Sequence, residues 1–233
     1  MSSEYEQLAK QLTGQQKCQS GPFQYIEGKA GNNTIILLQC GIGKVNAAAG
    51  AMELIRTFHP DCLISTGVAG GIDTRVGVMD VVVSRQIVYH DVWCGMGNEY
   101  GQIQGMPPRF SGNDVLLSCA LNLTQSDSIA SQIPAGMKIH DGLICTGDQF
   151  ITDRVDLDAI KERFSEGLAV DMESAAIAQV CYLYEIPFLS FRIISDTPGV
   201  DSHIQQYENF WGEMADRSFR ITELFLNSLP EKI

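Results

Sequence analysis

Two kinds of apolar pattern alternate along the chain. Short runs rich in branched residues occupy positions 34–40 (TIILLQC), 61–65 (DCLIS), 81–88 (VVVSRQIV), 138–145 (KIHDGLIC), 168–171 (LAVD) and 188–195 (FLSFRIIS). Several are nearly continuous in apolar residues, as expected of strands covered on both faces. Stretches of helical spacing lie between and after them. Residues 44–58 place Val45, Ala48, Ala49, Met52 and Ile55 at that spacing, and 114–122, 156–164, 173–184 and 207–229 are further helices. The opening MSSEYEQLAK is polar and helical in character. The alternation predicts an α/β fold: one domain with a central mixed, mostly parallel twisted sheet flanked by helices. No repeat, low-complexity stretch or linker interrupts it, and 233 residues suit a single domain of this class.

Glycine-rich turns follow two of the strands, GIGK at 41–44 and TGVAGGI at 66–72. In open α/β sheets, ligands bind beyond the carboxyl ends of the strands. Both turns fall at that edge, and so do Thr146–Asp148, Glu173 and Asp196. GIGK has neither Walker nor dinucleotide spacing. TGVAGG carries small residues around Val68, which would let backbone N–H groups approach a ligand.

Composition narrows the chemistry. The net charge of −12 repels nucleic-acid phosphates and anionic membranes. Neutral and cationic small molecules stay open. Seven cysteines without a CxxC pair read as small core residues of a reducing compartment. The four histidines lack metal-site spacing. No signal peptide is visible, and no apolar run approaches the ~20 residues that span a bilayer. The expectation is a cytoplasmic protein without cofactor or metal.

Three motifs hold acids or bases. VDMES (170–174) ends a strand and starts a helix, so its carboxylates either cap that helix or turn into the crevice to bind sugar hydroxyls. SDTPG (195–199) is turn chemistry, or it presents Asp196 as a general acid kept protonated by burial. Arg192 lies in an apolar strand and needs an acidic partner if buried.

Together, GIGKVNAAAG, STGVAGGID, YHD (89–91), EYGQ (99–102), TGDQFI, VDMESAAIAQV and FRIISD resemble the 5′-methylthioadenosine/S-adenosylhomocysteine nucleosidases of the nucleoside phosphorylase superfamily, over nearly the whole chain. The resemblance implies hydrolysis of the bond between adenine and ribose in 5′-thio-substituted adenosines. Glu4 would activate the water, and Arg192 would organise Glu4 and that water. Glu173 would bind the ribose hydroxyls with Met172 beside the sugar. Asp196 would protonate adenine N7. Phe150 would stack on adenine, and the Ile151 backbone would read its edge. Ile42, Val68, Ala69, Gly70 and Tyr207 would complete the substrate pocket. The family's homodimers imply a partner subunit over the 5′-thio group, with Met96 and Gln104 in that lid.

The chemistry also stands by itself. Adenine leaves poorly unless N7 is protonated, and the ribose becomes oxocarbenium-like. Such a site needs an acid at the base, an anion at the sugar and a positioned water. Three departures are visible, one of them Met96 and Gln104 standing where relatives often have Phe and Pro in the partner-subunit lid. Met1 stands almost at the acid-bearing helix, so the short apolar strand that precedes it in the family is expected to be missing from the sheet. Val68 replaces a serine common in relatives. A phosphorolytic purine nucleoside phosphorylase, a non-catalytic adenosine-binding relative, and hydrolases of 5′-deoxyadenosine or 6-amino-futalosine are the rival readings.

Overall fold

The computed structural model describes residues 2–233. Helix α1 (Ser2–Ala9) comes first, followed by strands β1 (Thr13–Ser20), β2 (Phe23–Ala30) and β3 (Asn33–Leu38). Then come α2 (Lys44–Phe58), β4 (Leu63–Gly71), β5 (Val81–Tyr89), β6 (Phe110–Ser111), α3 (Asp114–Asn122) and α4 (Asp127–Ala130). The last part holds β7 (Ile139–Thr146), α5 (Arg154–Arg163), β8 (Gly167–Asp171), α6 (Ser174–Leu183), β9 (Phe188–Asp196) and α7 (His203–Asn209). A π-helical turn at Phe210–Met214, α8 (Ala215–Ser218) and α9 (Arg220–Ser228) close the chain.

The main sheet runs β6-β5-β7-β8-β4-β9, and β9 also pairs with β5, so five strands close into a ring. The sheet is mixed. β4–β9, β5–β7 and β7–β8 are parallel, whereas β4–β8, β5–β9 and β5–β6 are antiparallel. Closure buries β9 along its whole length, which explains its continuous apolar run. A second sheet, β1-β2-β3, is antiparallel throughout.

Two expectations need correction. TGVAGG is not a turn after a strand. β4 runs on to Gly71, and its register with β9 reaches Gly70 opposite Asp196. Residues 207–229 are not one helix, because the π turn and a break after Ser218 divide them. The β1–β2 hairpin carries too few branched residues (TGQQKCQS) to be read as strand, and pairing with β2 and β3 supplies what local pattern lacks.

Helix α1 begins at Ser2 and carries Glu4 in its first turn. Among the described residues no ladder joins β3 to β4. β3 pairs only with β2, and residues 63–66 of β4 pair only with β9. The two edges face a cavity of about 450 Å³ lined by Leu8, Ile35–Leu37, Leu54, Leu63, Ile64 and Thr66. Thr66 Oγ1 is buried there without a partner.

Candidate functional site

A second cavity, of about 440 Å³, opens at the carboxyl ends of β4, β8 and β9. That volume suits a ligand of nucleoside size. Its walls come from α1 (Glu4, Tyr5), the β3–α2 turn (Cys40–Ile42), β4 (Val68, Ala69, Gly70), the loop after β7 (Gln149, Phe150, Ile151), the β8–α6 junction (Asp171, Met172, Glu173), β9 (Arg192, Ser195, Asp196) and α7 (Tyr207). Every substrate-pocket and catalytic residue expected from the sequence is therefore brought to one cavity. Met96 and Gln104 are not. They lie away from it on the surface, Met96 being 97% exposed.

Arg192 is 3% exposed and organises one side of the cavity. Its Nε lies 2.9 Å from Asp171 Oδ2, and its Nη2 lies 3.5 Å from Glu173 Oε2. Nη2 also donates to Ser65 Oγ at 2.9 Å, while Nε donates to Ser190 Oγ at 3.3 Å. The closest acid is thus Asp171, from the same VDMES motif as Glu173. Asp171 is itself held by Thr146 Oγ1 at 2.6 Å and by the Ser174 hydroxyl. A buried guanidinium needs this much satisfaction, because removing one partner of such a pair typically costs about 3–5 kcal/mol. Sequence reasoning missed Asp171, Ser65, Ser174, Ser190 and Thr146 as a set. The requirement that a buried arginine be paired was the available signal.

Glu173 occupies the N-cap position of α6 but makes no capping bond. Its Oε1 instead accepts from Gly43 N of the GIGK turn at 3.1 Å. Burial pushes its carboxyl up, while Arg192 opposes that. The GIGK turn is fixed by its own ion cluster. Lys44 Nζ meets Asp91 Oδ2 at 2.8 Å, and Asp148 Oδ1 accepts from Lys44 N at 2.7 Å. YHD and TGDQFI therefore serve partly to hold the backbone that holds Glu173.

Glu4 reaches over from α1, and its Oε1 accepts from Val68 N at 2.9 Å. The residue below is Gly67, at φ 152°. A Cβ there would come within 2.6 Å of Glu4 Oε1 and 2.9 Å of Arg192 Nη1, so only glycine lets acid and guanidinium share the space. Val68 acts through its backbone, which makes the loss of a side-chain hydroxyl at this position tolerable for holding Glu4.

Asp196 ends β9 and is 3% exposed. Burial raises its carboxyl above the usual range, and the Ser195 hydroxyl, 2.6 Å from Oδ1, opposes that. Above it, Phe150 and Tyr207 meet edge-on with ring centres 5.9 Å apart. Ile151 is buried beside them. Cys40 faces the opposite side, its thiol raised by burial. Among the described residues no cluster of His, Cys, Asp or Glu could hold a metal.

Two acids beside one saturated arginine, and a third acid pushed towards its neutral form, are an arrangement for breaking a glycosidic bond. Comparison with known proteins agrees with it. The phosphorylase superfamily profile matches residues 1–227. A 5′-methylthioadenosine/S-adenosylhomocysteine nucleosidase of Chromohalobacter salexigens is 36% identical over 230 residues, 98% of this chain and 94% of that protein. This chain belongs to that nucleosidase family. The nucleosidase of Colwellia psychrerythraea, solved in complex with adenine, superposes with a TM-score of 0.91 at 33% identity, covering 100% of this chain and 94% of that one. The Neisseria meningitidis nucleosidase, solved with methylthio-immucillin-A, gives 0.89 at 32% identity, covering 98% and 96%. No helix of the described residues of this family member is long and apolar enough to cross a membrane.

Proposed function

We propose that this nucleosidase-family chain hydrolyses the N-glycosidic bond of 5′-methylthioadenosine and S-adenosylhomocysteine, releasing adenine and the 5′-thioribose product. The observation that carries the reading is the charge balance of the cavity. Among the described residues, Arg192 is the one cation buried beside Asp171, Glu173 and Glu4, and its donors are directed at carboxylates and serine hydroxyls. That balance favours a sugar developing positive charge and disfavours a phosphate anion, so it supports hydrolysis over phosphorolysis.

In the proposed mechanism, Asp196 gives its proton to adenine N7 as the C1′–N9 bond lengthens. Glu173 accepts from the ribose hydroxyls, with Met172 against the sugar. Glu4, held by Val68 N, takes a proton from the attacking water, and Arg192 keeps Glu4 and Glu173 apart and oriented. Phe150 would stack on the base, with Tyr207 edge-on against its ring and Ile151 at the base edge. Ala69 and Gly70 would let backbone approach the base, and Ile42 would contribute to the 5′ side. No cofactor enters these steps.

The 5′ side is open in a single chain. Val45 (80% exposed) and Met52 on α2, Trp93 and Met96 in the loop after β5, and Tyr182–Tyr184 at the end of α6 expose apolar surface. Such surface marks a contact with another molecule. We infer a homodimer in which Met96 and Gln104 of each subunit lie over the partner's pocket.

Purified protein should release adenine from both thio-nucleosides. Comparison with 5′-deoxyadenosine and 6-amino-futalosine ranks the 5′-substituents. Asp196→Asn and Glu173→Gln should each lower the rate by about 10²–10⁴-fold. Near-normal rates in both variants would refute the assignment of roles. Tight binding of adenine analogues without any adenine release would instead favour a non-catalytic relative.

A further inference from the structure

The two oxygens of Glu173 are held by different parts of the chain. Oε1 accepts from Gly43 N at 3.1 Å, and Oε2 lies 3.5 Å from Arg192 Nη2. A carboxylate oxygen has two acceptor positions, so each can take a hydroxyl as well. Two oxygens with separate fixed partners suit a vicinal diol. Arg192 is itself fixed by Asp171 and Ser65. Gly43 stands in a turn at φ 90° and has no side chain with which to fix itself. Whatever places Gly43 N therefore places one of the two hydroxyl contacts.

Two acids that do not line the cavity place it. Strands β5 and β7 are parallel with Tyr89 opposite Thr146, so Asp91 and Asp148 leave the strand ends side by side. Asp91 Oδ2 accepts from Asp148 N at 2.9 Å and from Lys44 Nζ at 2.8 Å. Asp148 Oδ1 accepts from Lys44 N at 2.7 Å, the amide next to Gly43 N. The approach is close, since a Cβ at Gly43 would come within 2.9 Å of that Oδ1. Gly43 gives α2 no side-chain cap, and Asp148 supplies a carboxylate to the helix start from another loop. Lys44 Nζ also lies 5.5 Å from the centre of the Tyr89 ring, which restricts where that side chain can go.

We propose that Asp91 and Asp148 are positioning residues for one hydroxyl of the substrate ribose. The proposal rests on the nucleosidase reading of this pocket. Asp91 fixes Asp148, Asp148 fixes the Gly43–Lys44 backbone, and Gly43 N fixes Glu173 Oε1. This path acts on Oε1, whereas Oε2 answers to Arg192. Breaking it frees Glu173 to turn about its contact with Arg192. The hydroxyl bond at Oε2 is kept and the one at Oε1 is lost.

Three substrates test this: 5′-methylthioadenosine and its 2′-deoxy and 3′-deoxy analogues. For each, kcat/KM of Asp148→Ala and of Asp91→Asn is divided by that of wild type, which cancels the intrinsic reactivity of the sugar. The ratio should fall about 10-fold, the size of one hydrogen bond to a charged group, on the parent and on one deoxy analogue. On the other analogue, which lacks the hydroxyl bound by Oε1, it should stay within about twofold of wild type. Asp148 is exposed, so its variant keeps the test alive if the half-buried Asp91 cannot be changed without unfolding. An equal loss on all three substrates would mean a general structural role and overturn the proposal. Unchanged rates, or a loss that disappears with both analogues, would overturn it too. Wild-type protein that releases no adenine from the parent substrate would refute the nucleosidase reading itself, a result seen before any variant is compared.

Discussion

At the scale of single residues, Asp196 holds a penalised state for the sake of chemistry. Its carboxyl is raised by burial, so the folded protein keeps that proton to higher pH than the unfolded chain does. The sign follows from proton binding. Stability falls as pH rises from the ordinary carboxylate range, about 3.9, through the raised value, because the folded state then holds a desolvated anion. Asp196→Asn removes that penalty. The variant should melt higher than wild type at pH 7 while losing activity, by roughly 2–4 °C for each kcal/mol relieved. The difference should shrink at pH 4, where about half of the unfolded chains also carry the Asp196 proton. Scanning calorimetry at the two pH values checks it, and a variant that melts lower at pH 7 would contradict the buried-acid account. Glu173 and Asp196 were legible in the sequence because each sits where a strand gives way to a turn. Asp171 was not singled out, since its role depends on Arg192 arriving from β9, a contact between positions 21 residues apart that no local pattern encodes. The serines around Arg192 were invisible for the same reason.

At the scale of elements, the chain pattern served well where packing and periodicity agree. α2 and α3 fall at the residues that the spacing predicts, Lys44–Phe58 and Asp114–Asn122, with Asn113 capping α3 by bonds to Val115 N and Leu116 N. It served poorly where tertiary pairing overrides composition. TGVAGG is strand because β9 and β8 pair with it on either side, and its small residues reflect what stands over them: Glu4 and Arg192 at Gly67, and Pro198 at Gly70. The cavity between β3 and β4 has a physical consequence. Amides of residues 35–37 and 63–66 that point into it have no ladder partner, whereas β7 is paired on both sides. Slot-facing amides should exchange with solvent well before those of residues 143–145, since exchange protection follows local opening. Hydrogen exchange read residue by residue tests this. Equal protection would show that the two edges close on one another in solution. Leu8 of α1 stands in the wall of that cavity.

At the scale of the whole molecule, the ring of five strands gathers the ends of β4, β8 and β9, and so collects acids from positions as distant as 4 and 196 at one cavity. The family of the chain was legible from its motifs, and the closed ring was not, because ring closure by β5 and β9 leaves no mark in either strand's own pattern. The exposed apolar face of α2, α6 and the loop with Trp93 belongs to this scale as well. Sedimentation should give a species of about twice the 25.6 kDa chain mass. Val45→Arg should shift it towards monomer and weaken binding of 5′-thio substrates more than of adenine. A monomeric wild-type protein with full activity would contradict the shared-pocket reading.

The most direct test of the central claim is the sugar product formed from 5′-methylthioadenosine with and without inorganic phosphate. The charge balance around Arg192 predicts that adenine release is unaffected by phosphate and that the product is free 5-methylthioribose. Phosphate-dependent release with 5-methylthioribose 1-phosphate as product would contradict it.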